Sequence, residues 1–193
     1  MNSKLTAALL ILAAVLANVA FTALGSIFNY PDVLDEPAGK VLAAFRADEG
    51  AVSAWFSVLA LSAALLAPVA IGVGRLSSQR AMRIAVPVGI TAAVVQVIGL
   101  LRWPLLVPGY AADGNADAFR TASDILGTAV GETVGYLLTA TWTALVIVAL
   151  GRRYAGRWFQ VLGAASAALI LAGVLSPLGL PVIDAANFVG YVL

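Results

Sequence analysis

Residues 5–28 read LTAALLILAAVLANVAFTALGSIF, an apolar stretch without a single charged side chain. A bilayer core about 30 Å thick needs roughly 20 apolar residues of helix, so this stretch is long enough to cross a membrane. Stretches of the same kind follow at residues 51–74, 84–106, 124–150 and 158–178. The sequence therefore predicts an all-α polytopic bundle, with five full transmembrane spans in one domain over residues 1–193.

A sixth apolar segment, at residues 182–193, is too short for a full span. About 12 residues of helix extend only about 18 Å. Two interpretations fit this segment: a half-helix that re-enters or lies at the interface, or a sixth span that is truncated. We favour truncation, because an apolar run seldom ends a chain without a polar tail.

The first stretch could instead be a cleaved signal peptide, with Ala23 and Gly25 as the small residues of a cleavage site. However, its apolar run exceeds the usual 7–15 residue core of a signal peptide, and a single lysine, Lys4, precedes it. We therefore expect the first stretch to be retained as a span.

The composition agrees with a membrane protein. Hydrophobic residues make up 62% of the chain and charged residues 11%, and the mean hydropathy is +0.98. A soluble domain is roughly 45–50% apolar and about 25% charged, so water is the wrong solvent for this surface. The net charge of +1 provides no basic field, and we expect no nucleic-acid partner.

The chain contains no cysteine and no histidine. Disulfides, thiolate nucleophiles, the usual zinc and copper sites, histidine-ligated haem and Ser-His-Asp catalysis are therefore excluded. Its two lysines, Lys4 and Lys40, fall outside the apolar stretches, which argues against a retinal-type Schiff base. We expect no cofactor and no metal, and the absence of a catalytic set argues against an enzyme.

Charge placement predicts the orientation. The gaps after the second and fourth spans hold arginines and no acid: Arg75, Arg80, Arg83, Arg152, Arg153 and Arg157. The other gaps hold the acidic residues Asp32, Asp35, Glu36, Asp48, Glu49, Asp113 and Asp117. Arginine-rich loops are typically cytoplasmic, so we expect a multi-pass protein of the cell membrane with a cytoplasmic N-terminus.

Two of the outward segments have local patterns. In residues 37–47 the apolar positions Val41, Leu42 and Phe45 favour a short amphipathic helix on the outer surface. Residues 108–115 are rich in glycine, proline and asparagine and predict a loop with turns.

Ionisable residues inside the spans are the candidate functional residues, because each costs a few kcal/mol unless it has a partner or a role. Glu132 lies in the fourth span with Thr128 and Tyr136 at i−4 and i+4, which predicts one polar stripe. Arg102, in the third span, is expected to reach Glu132 as an ion pair, with Gln96 deeper.

Asp184 and Asn187 are expected to join this cluster from the last segment, with Tyr191 on the same face. The alternative is that these residues only anchor, pack and register the helices. Asn18, in the middle of the first span, is expected to hydrogen-bond to another helix. The candidate binding residues are Arg102, Glu132, Tyr136, Asp184, Asn187 and Gln96.

Gly127, Gly131 and Gly135 recur at a spacing of four in the fourth span and predict close approach of a neighbouring helix, which we expect to belong to the same chain. Residues 132–138 (ETVGYLL) are echoed by residues 187–193 (NFVGYVL). This echo has two interpretations, a parallel internal repeat or chance among common apolar residues.

Three segments resemble an uncharacterised bacterial family of multi-pass membrane proteins, domain of unknown function 4386. They are residues 28–32 (FNYPD) with 36–39 (EPAG), residues 135–143 (GYLLTATWT) and residues 186–191 (ANFVGY). The resemblance implies about six spans over nearly the whole chain. The family supplies no activity, so no catalytic residue is carried over.

Three functions are compatible with these residues. The first is a binding or accessory bundle whose outer polar cluster holds a lipid headgroup, a small ligand or a partner subunit, with membrane lipids and a second copy as further partners. The second is a small proton-coupled transporter that uses Glu132. The third is an intramembrane enzyme with Glu132 and Asp184 as paired carboxylates, which we disfavour because no flanking motif accompanies them.

Overall fold

The computed structural model describes residues 2–192, apart from the side chains at positions 152, 153, 155 and 181. About 90% of the chain is helical, and no strand occurs in the described part. The α-helices are α1 Ser3–Phe28, α2 Ala38–Ala47, α3 Glu49–Ala64, α4 Leu66–Gly74, α5 Arg80–Leu105, α6 Val107–Asp113, α7 Ala116–Ala122, α8 Gly135–Ala172 and α9 Pro181–Val192. A π-helix covers Ser123–Val134, and 3₁₀-helices cover Asp32–Asp35 and Gly173–Leu178.

Five helical segments are long and apolar enough to cross a membrane, which confirms the predicted all-α bundle and its five full spans. They are Ser3–Phe28, Glu49–Gly74, Arg80–Asp113, Ala116–Gly151 and Gly156–Leu178. The shorter apolar segment at the end of the chain forms α9 and packs against α8. Most of the surface along the spans is apolar, as hydrocarbon surroundings require.

Proline breaks the second and third spans at predictable places. Pro68 has no N–H to donate and its ring clashes with the preceding turn, so α3 ends at Ala64 and α4 begins at Leu66. Pro108 acts in the same way at the start of α6, where Leu106 separates α5 from α6. Each span thus consists of two helical pieces.

The segment at residues 108–115 is mostly helical, so the predicted loop is wrong there. Val107 and Ala111, one helical turn apart, are 1% and 0% exposed, and this apolar contact holds α6 in place. The turn itself is confined to Gly114, whose φ of 66° suits glycine. Asn115 then caps α7 by accepting a hydrogen bond from the backbone N–H of Ala118 at 3.0 Å.

The predicted amphipathic helix at residues 37–47 is present as α2, and other helices of the protein cover its apolar face. Val41, Leu42 and Phe45 are at most 1% exposed because this face packs on α6, α7 and α3. Its apolar face therefore contacts protein, whereas the sequence pattern suggested a helix on the membrane surface.

The fourth and fifth spans are joined within α8. Gly151 and Gly156 have φ of 59° and 78°, a left-handed conformation that reverses the chain between Ala116–Gly151 and Gly156–Leu178. A Cβ added at Gly163 would collide with the Ile147 side chain, so the two spans lie side by side.

Alternate spans run in opposite directions, so the bundle has two chemically different ends. We call the end with Arg75, Arg80 and Arg83 the arginine end, and the end with Asp48, Asp113 and Asp184 the acidic end.

An aromatic core closes the acidic end. Trp103 is fully buried and stacks on Phe56, with ring centroids 4.5 Å apart and planes 5° apart. Phe28, Phe45 and Phe119 pack around the indole with centroids 5.2 to 6.0 Å away. This core joins α1, α2, α3, α5 and α7, and it positions Arg102, the residue next to Trp103.

Candidate functional site

Arg102 lies in the last turn of α5 and is 6% exposed, although it carries a charge. Its Nη1 donates a hydrogen bond of 2.6 Å to the Gly99 carbonyl of the same helix, while its buried Nε has no partner. The guanidinium carbon lies 5.3 Å from the Trp103 ring centroid, within the range of a cation–π contact. The neighbouring indole Nε1 of Trp103 is also buried without an acceptor. Two consecutive residues thus leave buried donors unpaired, which is costly.

The expected ion pair between Arg102 and Glu132 does not form in the structure. Glu132 lies in the π-helix Ser123–Val134, and its carboxylate accepts no hydrogen bond from the described residues. The fourth span is therefore π-helical over Ser123–Val134, where the i→i+5 pattern widens each turn. Glycines four apart in this segment still face the same helix, α5, so the stripe of Thr128, Glu132 and Tyr136 at that spacing stays a prediction.

Arg102 and Glu132 nevertheless both influence the pKa of the Tyr30 phenol, and so does Asp184. Tyr30 lies between the first span and α2, outside the membrane-spanning segments. The pKa of Tyr30 is raised to about 12, mainly because the phenol is buried; Glu132 and, less strongly, Asp184 contribute to this increase, and Arg102 opposes it.

The sequence analysis singled out 28–32 only for family resemblance and missed Tyr30 as a member of the cluster. Its ring packs on Phe56 and Phe21, with centroids 5.2 and 5.8 Å away. The signal that could have found it is a tyrosine two residues beyond the end of a span, at the same end of the bundle as Arg102.

A second polar group lies deeper in the bundle than Arg102 and consists of Gln96, Thr139 and Tyr191. The Gln96 amide donates to the Thr139 hydroxyl at 2.7 Å and to the Tyr191 hydroxyl at 3.4 Å. Thr139 in turn donates to the Gly135 carbonyl at 2.8 Å. The rings of Tyr191 and Tyr136 pack at an angle of 62°, with centroids 6.2 Å apart. These contacts link α5, α8 and α9.

Tyr136 belongs to this deeper group through its ring contact with Tyr191. A Cβ added at Gly173 would lie 2.7 Å from both the Tyr136 Cδ2 and the Asn187 Cγ, so these two side chains are neighbours. These contacts bring Gln96, Tyr136 and Asn187 together and add Thr139, whereas Arg102 and Glu132 form no ion pair with each other.

Of the two candidates in α9, Asn187 is used for packing and Asp184 is not. Asn187 is buried, and its amide donates to the Ile170 carbonyl at 3.0 Å. Asp184 is exposed and accepts a 2.6 Å hydrogen bond from the Ser176 hydroxyl. Ser166 donates to the Gly190 carbonyl at 2.6 Å. Asn187 thus anchors α9 to the fifth span, whereas Asp184 keeps acceptor capacity free.

The three glycines of the fourth span all face α5 of the same chain. A Cβ added at Gly127 would lie 2.6 Å from Arg102 Nη2, one at Gly131 would lie 3.0 Å from Gly99 Cα, and one at Gly135 would lie 3.0 Å from Gln96 Cγ. Glycine at these positions therefore lets the fourth span approach the two candidate residues of the third span.

The echo of residues 132–138 in 187–193 has a partial structural parallel. Gly135 and Gly190 both lie in tight helix contacts, against Gln96 and Ile170, and the tyrosine after each glycine faces the other. Residue 193 lies outside the described residues.

Asn18 does not hydrogen-bond to another helix, so that prediction is wrong. Its side chain is exposed, and its amide donates to the Ala14 carbonyl of the same helix at 2.9 Å. The contact between the first two spans comes instead from Ser62, which donates to the Ala13 carbonyl at 3.0 Å.

Five apolar spans, an apolar surface and a cluster of buried polar groups define a multi-pass α-helical membrane protein. More particularly, the chain belongs to the family described as domain of unknown function (DUF4386), whose sequence model matches residues 5–192. This match confirms the resemblance noted in the sequence. No curated protein and no solved structure is significantly similar to the chain.

Proposed function

We propose that the protein is an accessory protein of the cell membrane that binds the phosphate group of a lipid headgroup through Arg102. The observation that carries this proposal is that Arg102 is only 6% exposed and that, among the described residues, its Nε has no hydrogen-bond partner and its guanidinium no ion-pair partner. A buried charge of this kind is costly unless a counter-charge and hydrogen-bond acceptors are supplied. A phosphate supplies both, and the planar fork of arginine matches its oxygens.

The position of Arg102 favours a membrane lipid over a ligand that is dissolved in the aqueous phase. It lies in the last turn of α5, and the exposed apolar side chains of Leu105 and Leu106 come three and four residues after it. An arginine at this depth is level with the headgroup side of a bilayer, where a phosphodiester lies. We therefore expect the lipid to come from the leaflet at the acidic end.

The proposal includes an orientation, with the N-terminus in the cytoplasm and the acidic end outside. Its support is the charge pattern, since the gaps at one end hold arginine and no acid, whereas acidic residues outnumber basic ones in the gaps at the other end. The site would then face the outer leaflet of the cell membrane.

Arg102→Gln tests the proposal by native mass spectrometry of the purified protein in detergent, with dioleoyl phosphatidylethanolamine and dioleoyl phosphatidylglycerol as probes. Hydrogen bonds to charged groups contribute about 1.5–3 kcal/mol, so we expect at least one of these lipids to bind about 10- to 100-fold more weakly. The matched control is Arg120→Gln, which removes an exposed arginine at the same end of the bundle.

The free glycerophosphodiester headgroups distinguish a lipid site from a site for a soluble phosphate compound. Binding of the lipid alone supports the proposal, and equal binding of the free headgroup contradicts the lipid assignment. Equal lipid binding by the wild-type protein and Arg102→Gln contradicts the whole proposal. Arg102→Lys keeps the charge, so it provides a folded comparison if the glutamine variant is unstable.

A second candidate function is proton-coupled transport through Glu132. The observation that favours it is a partly buried carboxylate that accepts no hydrogen bond from the described residues. Two shallow surface depressions, lined by residues 168–175 and 106–126, do not include Glu132. Proton movement into proteoliposomes that is abolished by Glu132→Gln would favour transport over binding.

A further inference from the structure

We infer that Gly127 is a positioning residue of this site: because it has no side chain, the Arg102 guanidinium lies flat against it and keeps two N–H donors side by side for a phosphate. This inference rests on the proposed function, because it assigns how the same ligand is held. The sequence pattern alone predicts only a helix contact for Gly127.

The guanidinium group is the nearest neighbour of Gly127 on the side where a Cβ would lie. An added Cβ would be 2.6 Å from Arg102 Nη2, 2.7 Å from Cζ and 3.2 Å from Nε. The three nearest atoms thus all belong to one planar group. In line with the Nε–Nη2 edge, Cζ would be the farthest of the three. Cζ is instead nearer than Nε, so Gly127 lies against the face of the guanidinium.

Two further contacts fix the orientation of the group. Its Nη1 donates to the Gly99 carbonyl at 2.6 Å, and its carbon lies 5.3 Å from the Trp103 ring centroid. Nε has no hydrogen-bond partner among the described residues. Because Nη1 is already used, the Nε–Nη2 edge is the fork that remains for a ligand. Its two parallel N–H groups match two oxygens of one phosphate.

Gly127 differs in this respect from Gly131, the next glycine of the same span. A Cβ added at Gly131 would meet backbone, at 3.0 Å from Gly99 Cα and 3.1 Å from the Leu126 carbonyl oxygen. Backbone cannot rotate away, so Gly131 serves the packing of the third and fourth spans. At Gly127 the neighbour is the end of a flexible side chain, which can move.

Gly127→Ala should therefore change the site more than the fold. The added Cβ would push the guanidinium away from the Gly127 backbone and disturb its 2.6 Å hydrogen bond to Gly99. Binding groups work when they are held within about 0.5 Å of their productive positions. Hydrogen bonds also weaken steeply when they are bent, so the displaced fork would no longer present both donors to one phosphate.

The experiment is a double-mutant cycle of Gly127→Ala with Arg102→Lys. Binding of dioleoyl phosphatidylethanolamine and dioleoyl phosphatidylglycerol is measured by native mass spectrometry of the full chain in detergent. Lysine keeps the charge but has no planar fork that a Cβ could displace. Gly127→Ala should weaken lipid binding at least about 10-fold when Arg102 is present and less than about 2-fold in the Arg102→Lys background.

Gly109→Ala is the matched control, since a Cβ there meets nothing within 4 Å, and it should leave lipid binding unchanged. If Gly127→Ala alone does not fold, the two variants that contain Arg102→Lys still decide. Similar binding by these two supports the inference, and a loss of about 10-fold between them overturns it.

The remaining outcomes separate this inference from the proposed function. A glycine that only packs the helices would give the same loss of binding in both backgrounds. Equal losses, or no loss in either background, overturn the inference and leave the proposed function standing as long as binding depends on Arg102. Binding that does not depend on Arg102 overturns the proposed function itself.

Discussion

At the scale of single residues, the contact between the third and fourth spans depends on glycine. A Cβ added at Gly99 would lie 2.7 Å from Gly131 Cα, which is backbone and cannot rotate away. The backbones of the third and fourth spans are in contact at this point, so the two spans must separate if either glycine gains a side chain. The same contact sets the distance between Arg102 on α5 and Glu132 in the π-helix.

We predict that Gly99→Ala destabilises the folded protein by about 1–3 kcal/mol, the usual cost of overpacking. Gly109→Ala is the control, since a Cβ there meets nothing within 4 Å and alanine favours helix by about 1 kcal/mol. The measurement is helix loss on heating in detergent, followed by circular dichroism. Equal midpoints for the two variants would mean that the spans do not touch at Gly99.

Tyr30 reports on the charges around it. Its pKa is raised to about 12, so its phenol stays mostly neutral near about pH 11, where ordinary tyrosines, with a pKa of about 10, are mostly ionised. Since a negative charge raises a phenol pKa, Glu132→Gln should lower this pKa, and Asp117→Asn should leave it unchanged. The measurement is phenolate absorbance against pH, with Tyr30→Phe subtracted. A midpoint that Glu132→Gln does not move would place Glu132 away from Tyr30.

Most members of the site could be predicted from sequence, but their pairing could not. An ionisable residue inside an apolar span is conspicuous, which identified Glu132 and Arg102. Whether they form an ion pair depends on backbone geometry, and the i→i+5 bonds of Ser123–Val134 leave no trace in residue spacing. Tyr30 lies in a loop, where a tyrosine does not stand out.

At the scale of helices, the sequence predicts where the spans lie better than it predicts which way a polar side chain faces. Span boundaries follow from hydropathy, and the breaks before Pro68 and Pro108 follow from the missing N–H of each proline. The orientation of Asn18 does not, because α1 is apolar on all sides and its hydrophobic pattern selects no face.

We predict that Asn18→Leu leaves the stability of the bundle unchanged, whereas Ser62→Ala lowers it by about 0.5–1.5 kcal/mol. Asn18 is exposed and bonds only within its helix, but Ser62 is buried and its hydroxyl joins the first two spans. Unfolding in a denaturing detergent series would measure both. A larger loss for Asn18→Leu than for Ser62→Ala would show that Asn18 has an unseen partner.

The docking of α9 also depends on one glycine. A Cβ at Gly190 would lie 2.7 Å from the backbone nitrogen of Ile170, so Gly190→Val should lift α9 from the fifth span. Because the chain has no native cysteine, Ile183→Cys provides a clean probe at a side chain that is 9% exposed. We predict that the maleimide labelling rate at this position rises several-fold in Gly190→Val.

The matched control for this labelling is Gly50→Val in α3, where a Cβ meets nothing within 4 Å. It introduces the same β-branched residue into a helix, so it accounts for any general loosening of the bundle. If labelling of Ile183→Cys rises equally in both variants, the change does not report on α9.

At the scale of the whole molecule, the two ends of the bundle differ in construction as well as in charge. The acidic end has short helices and an aromatic core around Trp103, and it contains Tyr30 and Arg102. At the arginine end, the described contacts are simpler, such as the small cluster of Met82, Ala85 and Ala149. A ligand site at the acidic end is consistent with this asymmetry, since the additional structure surrounds the charged cluster.

We predict that the arginine end faces the cytoplasm, because arginine-rich gaps resist translocation. Single cysteines at Ser78, in an arginine-bearing gap, and at Asp113, at the acidic end, test this, since both positions are exposed. In intact cells a membrane-impermeant maleimide should label Asp113→Cys and not Ser78→Cys. After the membrane is opened with detergent, both should react, which controls for accessibility. The reverse labelling pattern would indicate the opposite orientation in the membrane. In that orientation the site around Arg102 would bind lipid from the cytoplasmic leaflet.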